Sequence, residues 1–387
     1  MINYDLYHPI ESKVISNKNR FALKKKDLTE LKKDFFNSSI LVTGGAGSIG
    51  SQFCKDILKF NFKALFIIDK DENQLTELNR ELILLCDKKK LNKIRYICAD
   101  LLVFNIDDFI KNHLITHYLN FAAIKHVRTE EELDSIKYMF LTNTNNFLPK
   151  KSYKLKKLFS ISTDKTVNPR SLLGISKHLM ESNLRKFKNE NKIFVSSVRF
   201  ANVSFSNGSI LKYIVDRIIY KKPFGVPKNI KRFFITHKEA STLCFKAILK
   251  NSDGQVVLPN YKVLEKDYLI SDVAAKIVRY FSYKEKFVNN LSTKKVVKNK
   301  YYRVQLTSSN IHGQKLFEEF YSGFEKLKLD KRDKSIFRVN LPNQPNVRRI
   351  TKKILEFRNY VKLQKYLCTQ FKNFKPSKNV IKVSKII

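Results

Sequence analysis

The chain has 387 residues, 43% of them hydrophobic, which is enough to bury a large core and argues against disorder throughout. Lysine and arginine number 75 against 35 acidic residues, so the net charge is +40. The basic residues are spread over nearly every segment, without a compact motif interleaved with aromatic residues. We therefore attribute the charge to overall composition and do not expect a nucleic-acid partner, although nucleic-acid or anionic-membrane binding is the alternative that such a charge raises.

Apolar runs and cysteine usage indicate the cellular compartment of the protein. No run of about 18 uncharged apolar residues occurs, so we expect no membrane span. The first nine residues lack the basic and apolar segments of a secretory signal. The five cysteines are scattered and form no CxxC pair, which favours reduced thiols over a metal or disulfide framework. We expect a cytoplasmic protein without a metal site.

Strands and helices are predicted to alternate between residues 39 and 200. Residues 1–38 are polar and lysine-rich, and we interpret them as an N-terminal extension with a helix near residues 27–36. Apolar runs, separated by segments of helical periodicity, predict six strands at 40–42, 64–69, 94–98, 117–121, 158–162 and 194–199. This alternation is typical of the α/β class with a doubly wound parallel sheet, the Rossmann fold.

The alternation fades after residue 200. Short mixed segments predict a smaller α/β lobe over residues 201–330, which we expect to bind the substrate. Residues 331–387 are predicted to form a basic C-terminal helical tail, with an amphipathic helix over 347–371. The domain prediction is therefore an extension (1–38), a dinucleotide-binding domain (39–200), a substrate lobe (201–330) and a tail.

Glycines are scarce, yet four of the ten lie at positions 44, 45, 47 and 50, after the first strand and before a helix. Such a turn lets the backbone approach a pyrophosphate and points a helix N-terminus at it. In this strand–turn–helix context the spacing predicts a dinucleotide site. The residues expected to contact the phosphates are Gly44, Gly47, Ser48, Ile49 and Gly50.

Acidic residues lie at the end of the second predicted strand and just after the third. Asp69 lies 19 residues beyond Gly50, where an acid hydrogen-bonds the adenosine ribose, and this favours NAD. Lys70 beside it keeps NADP as an alternative. Asp100 and Leu101 are expected beside the adenine ring. The alternative for Asp69 and Asp100 is ordinary loop polarity or helix capping.

Several motifs in one order resemble those of a known family. They are Thr43-Gly44-x-x-Gly47-x-x-Gly50, residues 121–127 (FAAIKHV), 162–169 (STDKTVNP), 198–203 (VRFANV), 231–234 (KRFF) and 313–319 (GQKLFEE). Over roughly residues 38–325 the chain resembles the extended short-chain dehydrogenases/reductases. Within them it is similar to the nucleotide-sugar 4,6-dehydratase branch of polysaccharide-biosynthesis proteins. In that branch it resembles the UDP-N-acetylglucosamine 4,6-dehydratases of legionaminic acid and bacillosamine synthesis.

The resemblance implies a reactive group at the end of the fifth strand. Asp164 would be the acid toward the carbon 6 hydroxyl, Lys165 the base at carbon 5, and Thr163 a hydrogen-bond partner of the carbon 4 oxygen. Lys177 would contact the nicotinamide ribose. Leu173 occupies the place of the family's tyrosine, so the group that deprotonates the carbon 4 hydroxyl stays open between Lys177, Lys165 and a water held by Thr163. A capped strand end with a surface ion pair is the alternative for this stretch.

The resemblance also implies binding residues. Ala122 and Ala123 would line the cofactor, and Asn143 would support the backbone of the site. The chain departs from the family pattern near Asn207, where relatives often have arginine, and before Gly313, where they often have Arg-Pro. The expected substrate-binding residues are Lys125, His126, Asn202, Ser209 and Arg232.

Taken with the resemblance, these residues predict an enzyme that binds NAD and converts UDP-N-acetylglucosamine into a UDP-4-keto-6-deoxy sugar for surface polysaccharide synthesis. Carbon 4 would be oxidised transiently, which acidifies the carbon 5 proton before water is eliminated. The alternatives are a nucleotide-sugar 4-epimerase and a non-catalytic nucleotide- or nucleic-acid-binding relative. We also expect a homo-oligomer.

Overall fold

A computed structural model describes residues 4–16, 18–125, 132–145, 147–264, 267–290, 296–308 and 318–374. The helices are α1 (Tyr4–Val14), α2 (Lys25–Phe35), α3 (Ser48–Ile57), α4 (Glu72–Leu85), α5 (Lys88–Leu91), α6 (Ile106–Asn112), α7 (Leu133–Phe140), α8 (Leu172–Asn191), α9 (Ile210–Ile219), α10 (His237–Ile248), α11 (Ile270–Tyr280), α12 (Val347–Glu356) and α13 (Tyr360–Gln370). The strands are β1 (Ser39–Thr43), β2 (Ala64–Asp69), β3 (Ile94–Cys98), β4 (His117–Asn120), β5 (Lys157–Ile161), β6 (Phe194–Val198), β7 (Asn202–Val203), β8 (Phe224–Pro227), β9 (Lys231–Arg232), β10 (Phe234–Ile235), β11 (Gln255–Pro259), β12 (Tyr268–Leu269), β13 (Lys284–Val288), β14 (Val297–Lys298), β15 (Tyr301–Thr307), β16 (Lys328–Leu329) and β17 (Ile336–Asn340).

A mostly parallel sheet organises the main domain. Its strand order is β16-β17-β11-β6-β5-β4-β1-β2-β3, and the strands from β3 to β11 run parallel to one another. The order reverses between β1 and β4, which opens a crevice at the carboxyl ends of these strands. The predicted doubly wound α/β fold is confirmed, and the six predicted strands end within one residue of the observed ones.

Complete burial explains why these segments form central strands. All five side chains of β1 are buried, as expected for a parallel strand that is covered on both faces. Helices α3 and α10 pack together on one face, where the rings of Phe53 and Phe245 stack with centroids 4.3 Å apart. This packing fixes the start of α3, and therefore the glycine turn, against the sheet.

A second core forms the smaller lobe. Strand β15 pairs with β13, β14 and β8, and helices α9 and α11 cover this small sheet. Helix α1 joins the same core, where Tyr7 stacks on Phe205 with ring centroids 5.4 Å apart. Helix α2 instead contacts the main domain through an ion pair of 2.6 Å between Asp34 and Lys157. The segment interpreted as one extension therefore contacts both cores.

The segment predicted as a C-terminal tail contains a strand of the main sheet, because β17 pairs antiparallel with β11. Helices α12 and α13 pack on α7 and α8 through an apolar cluster. The predicted single helix over 347–371 is divided in two. Asn359 caps α13 by accepting a hydrogen bond from the Lys362 N–H, which favours a new helix start over continuation.

Membrane insertion has no structural candidate among the residues described, where no helix combines the necessary length with the necessary apolar character.

Candidate active site

The glycine turn lies at the carboxyl end of β1 and leads directly into α3. Gly44 has a φ of +67°, a left-handed conformation that glycine adopts without strain. A Cβ on Gly44 would collide with the backbone of Ala122, and one on Gly50 would collide with the carbonyl oxygen of Gly44. Helix α3 begins at Ser48, so the N–H groups of Ser48 and Ile49 belong to its first turn. Such N–H groups lack carbonyl partners within the helix, so this geometry fits a pyrophosphate.

Asp69 holds the turn from the end of β2. Its carboxylate accepts hydrogen bonds from the Ala46 N–H at 3.0 Å and from the Asp71 N–H at 3.2 Å. Burial raises the pKa of the Asp69 carboxyl. The predicted ribose ligand therefore also shapes the glycine turn, and a carboxylate oxygen with two lone pairs can accept a further hydrogen bond.

Asp100 is held by a residue that the sequence did not reveal. Tyr138 on α7 donates a hydrogen bond of 2.8 Å to Asp100, and Lys70 donates one of 2.9 Å to the Tyr138 hydroxyl. Asp100 also accepts from the Leu102 N–H at 2.9 Å, and Leu101 is buried beside it. Lys70 is thus drawn toward Tyr138.

The glycine turn permits a matched test of cofactor binding. Gly50→Ala places a methyl group against the backbone of Gly44, which has little room to move. We expect the affinity for NAD+ to fall by about tenfold or more and stability to fall by about 1–3 kcal/mol. Isothermal titration calorimetry and thermal unfolding measure both effects. Gly323→Ala is the control, because a Cβ there meets no atom within 4 Å. Unchanged NAD+ affinity in Gly50→Ala would contradict the assignment of this turn.

The reactive stretch begins where β5 ends. Thr163 caps a short 3-10 helix, Asp164–Thr166, and its hydroxyl donates a hydrogen bond of 2.8 Å to Asp164 Oδ1. Lys165 Nζ lies 3.6 Å from the same oxygen. The Asp164 side chain is buried, whereas that of Lys165 is 41% exposed. An oriented carboxyl group therefore stands beside an amine that can reach a ligand.

Lys177 lies in the core of α8, beneath the end of β5. Its Nζ donates a hydrogen bond of 3.1 Å to the carbonyl oxygen of Ile161. Burial lowers the pKa of Lys177 to about 8, and the nearby Glu181 carboxylate opposes the shift. Leu173, one turn earlier, is buried in the apolar cluster with α12 and α13. Its side chain has no group that transfers a proton.

Asn143 holds the loop after β4 through hydrogen bonds to its backbone, the arrangement that the family resemblance implied. The Asn143 side chain accepts from the Ile124 N–H and donates to the Ile124 carbonyl oxygen, both at 3.0 Å. It also donates a hydrogen bond of 3.0 Å to Ser176 Oγ. Asn143 lies in a π-helical turn, Leu141–Asn145, a form often found at functional sites. The backbone that leads to Lys125 is therefore fixed.

Lys125 ends this stretch of backbone and is exposed to solvent. Desolvation by the surrounding protein lowers its pKa to about 8, and the positive charge of Lys165 adds to this shift. The two lysines are thus electrostatic neighbours. Ala122 and Ala123 precede Lys125 along the loop after β4 and are half-buried. His126, which was also predicted to bind substrate, lies outside the described residues.

A buried ionic network supports the reactive stretch from below. Ser162 donates a hydrogen bond of 2.6 Å to Glu181, which is paired with Arg199 through two hydrogen bonds. Arg199 also lies 2.9 Å from Glu325. The side chains of Arg199 and Glu181 are 1% and 0% exposed. This network ties β5, β6 and α8 together next to Thr163.

The structure brings two of the residues predicted to bind substrate, Asn202 and Arg232, to a shared partner, Glu318. Glu318 accepts a hydrogen bond from Asn202 Nδ2 and lies 3.5 Å from Arg232 Nε. Glu318 belongs to the sequence motif at 313–319. That motif supported the family resemblance, but Glu318 was not predicted as a site residue. Ser209 differs from the other predicted substrate residues, because its hydroxyl caps α9 by accepting from the Lys212 N–H. The same lobe reaches the glycine turn through the Asn207 N–H, which donates to Ser48 Oγ at 2.9 Å.

Metal chemistry has no structural candidate in the described part of the chain, where no three histidine, cysteine, aspartate or glutamate side chains are grouped to hold an ion.

The arrangement of sheet, glycine turn and lobe is shared with solved structures, whose low sequence identity makes the likeness one of fold. Pen from Bacillus thuringiensis matches with a TM-score of 0.64 and 20% identity over 80% of this chain and 88% of that one. The UDP-N-acetylglucosamine 4-epimerase of Methanobrevibacter ruminantium matches with a TM-score of 0.56 and 15% identity over 86% of this chain and 99% of that one. DesIV, the dTDP-glucose 4,6-dehydratase of Streptomyces venezuelae, matches with a TM-score of 0.51 and 15% identity over 70% and 88%. The fold is therefore that of the Rossmann-type epimerases and dehydratases.

Residues 40–340 match the polysaccharide biosynthesis protein family, and the chain belongs to that family. The capsular polysaccharide biosynthesis protein CapD of Staphylococcus aureus is 28% identical over 77% of this chain, which spans 50% of CapD. An uncharacterized membrane protein of Methanocaldococcus jannaschii is 30% identical over 67% of this chain and 76% of its own length. The chain thus spans only half the length of CapD.

Proposed function

We propose that the chain is a nucleotide-sugar 4,6-dehydratase that acts on UDP-N-acetylglucosamine. The observation that carries the proposal is the adjacent pair of Asp164 and Lys165 at the carboxyl end of β5. Asp164 is buried and oriented by Thr163, and the amine of Lys165 lies 3.6 Å from it. An acid next to a base in a crevice is what elimination of water across two neighbouring carbons requires. The membership in a polysaccharide biosynthesis family supports a sugar substrate.

The residues take complementary roles in this reaction. The glycine turn and Asp69 would hold NAD+, which would supply reversible hydride transfer with the sugar. Lys165 removes the proton from carbon 5, and Asp164 protonates the carbon 6 hydroxyl so that the carbon–oxygen bond breaks and water leaves. Thr163 orients Asp164 and is placed to hydrogen-bond the carbon 4 oxygen. Lys165, protonated in the elimination and exchanging with solvent, then delivers a proton to carbon 5 when the hydride adds to carbon 6. The net outcome is loss of one water without net consumption of the cofactor.

Lys177 is the best candidate to assist removal of the proton from the carbon 4 hydroxyl. Leu173 cannot do so, because its side chain is apolar and buried. The pKa of Lys177, lowered by burial to about 8, leaves a fraction of the amine neutral near neutral pH. Lys165 and a water held by Thr163 are the other candidates. We propose NAD as the cofactor because Asp69 ends β2 and Lys70 is engaged with Tyr138.

A nucleotide-sugar 4-epimerase is the second candidate, because the UDP-glucose 4-epimerase of Rickettsia bellii is 26% identical over 57% of this chain and 66% of its own length. An epimerase returns the hydride to carbon 4 and removes no proton from carbon 5. It has no use for an acid and an amine aimed at carbons 5 and 6. The Asp164–Lys165 pair therefore favours the dehydratase.

Self-association and a cytoplasmic location stay predictions.

Product analysis separates the two candidates. We expect UDP-N-acetylglucosamine, incubated with protein and NAD+ in deuterium oxide, to lose one water and gain deuterium at carbon 5, with no accumulation of NADH. Mass spectrometry and proton NMR measure both outcomes, and a small panel of UDP-, dTDP- and GDP-sugars tests the choice of nucleotide. A product of unchanged mass with inverted carbon 4 would establish the epimerase. No turnover with any sugar of the panel would overturn the proposal.

A further inference from the structure

Glu318 is a buried carboxyl group with Asp164 and Lys165 among its charged neighbours, and it contacts two predicted substrate residues at once. Its Oε2 accepts a hydrogen bond of 2.8 Å from the Phe233 N–H. Its Oε1 accepts one from Asn202 Nδ2 and lies 3.5 Å from Arg232 Nε. The Glu318 side chain is 4% exposed. Removing a carboxyl group from water costs free energy, and the three partners of Glu318 offset part of that cost. A carboxyl group kept in such a position is a candidate for a functional role.

These contacts fix the direction of the Asn202 amide. Asn202 Nδ2 donates to the Phe233 carbonyl oxygen at 3.3 Å as well as to Glu318. Because both partners are acceptors, they require the NH2 end of the amide on their side. Both N–H donors of Asn202 are thus engaged, and its carbonyl oxygen Oδ1 is the atom left to meet a donor group of a ligand.

The same carboxyl group holds one edge of Arg232. Glu318 lies at the Nε side, while Nη1 donates a hydrogen bond of 2.7 Å to the Lys231 carbonyl oxygen. The Arg232 side chain is 11% exposed, so its guanidinium has little freedom. Burial and the neighbouring Asp164 carboxylate raise the pKa of Glu318, whereas Arg232 and Lys165 oppose that shift. Glu318 therefore belongs to the same electrostatic field as the reactive pair.

We propose that Glu318 is a positioning residue for recognition of the sugar nucleotide, acting through Asn202 and Arg232. It turns Asn202 so that Oδ1 accepts a hydrogen bond from a hydroxyl or N–H of the ligand. It also holds Arg232 as the cation for an anionic diphosphate. This inference rests on the proposed function for the identity of the ligand. It concerns binding, so it predicts an effect that is separable from the chemical step.

The test compares Glu318→Gln and Glu318→Ala with wild type. We expect the affinity for UDP, measured by calorimetry in the presence of NAD+, to fall by about tenfold in Glu318→Ala. Glu318→Gln keeps one acceptor oxygen but replaces the second by an NH2 group that cannot accept, so we expect an intermediate loss. In turnover with UDP-N-acetylglucosamine, KM should rise by a similar factor while kcat changes by about threefold or less. Glu356→Gln, at an exposed ion pair on α12, is the control for loss of one acidic charge.

A double-mutant cycle separates positioning from a merely structural role. Arg232→Lys should lower UDP affinity in wild type but have a smaller effect in Glu318→Ala, because the two residues act as a unit. Additive losses, unchanged UDP affinity, or tighter binding in Glu318→Ala would each overturn the inference. So would absence of UDP binding to wild type. If UDP affinity responds as expected but no sugar nucleotide is dehydrated, the inference stands and the proposed dehydratase fails.

Discussion

Lys165→Ala should abolish dehydration of UDP-N-acetylglucosamine while NAD+ still binds. A positioned base contributes about 10²–10⁴-fold to a proton transfer, so the rate of product formation should fall by that factor or more. The cofactor should remain bound because its predicted contacts lie at the glycine turn and on β2, not on this side chain. Deuterium incorporation at carbon 5, followed by mass spectrometry, measures the proton transfer directly.

Two further variants make this result specific. Lys165→Arg keeps a positive charge beside Asp164, but a guanidinium does not lose its proton near neutral pH. We expect Lys165→Arg to be as inactive as Lys165→Ala if the amine is the base. Lys154→Ala removes an exposed lysine at the other end of β5 and should leave the rate unchanged. Substantial activity in Lys165→Arg would show that this position acts only by its charge.

Arg199→Met should have the largest effect on stability. Arg199 is buried and neutralises Glu181, with Glu325 as a second acidic partner. Removing one member of a buried pair leaves an uncompensated charge, which costs about 3–5 kcal/mol. Denaturant unfolding measures this loss. Because Glu181 also accepts the Ser162 hydroxyl next to Thr163, we expect dehydratase activity to fall more steeply than the folded fraction.

The double variant Arg199→Met with Glu181→Leu is the matched comparison. It removes both central charges, so we expect it to recover about 1–3 kcal/mol relative to Arg199→Met alone. Arg348→Met is the surface control, because the ion pair of Arg348 with Glu190 is largely exposed and such pairs contribute about 0–1 kcal/mol. Similar losses in Arg199→Met and Arg348→Met would show that the network does not stabilise the fold.

The sequence alone determined the frame of the protein. Central parallel strands are apolar on both faces, so runs such as residues 40–42 are visible without a structure. The glycine turn is equally visible, because glycine adopts the left-handed conformation at Gly44 without strain and a Cβ at Gly44 or Gly50 would collide with backbone atoms. The order of motifs indicated a polysaccharide-biosynthesis family, and the match of residues 40–340 confirms that membership.

Tertiary structure decided the contacts between distant segments. Glu318 meets Asn202 across 116 positions of sequence, and Arg199 meets Glu325 across 126, so no local pattern could pair them. The single C-terminal helix expected from periodicity is two helices, because the cap at Asn359 decided where the second begins. Periodicity and turn chemistry are local and can be predicted from a sequence. The pairing of buried charged groups depends on how distant segments fold together. Only the tertiary structure therefore shows that Glu318 contacts Asn202 and Arg232.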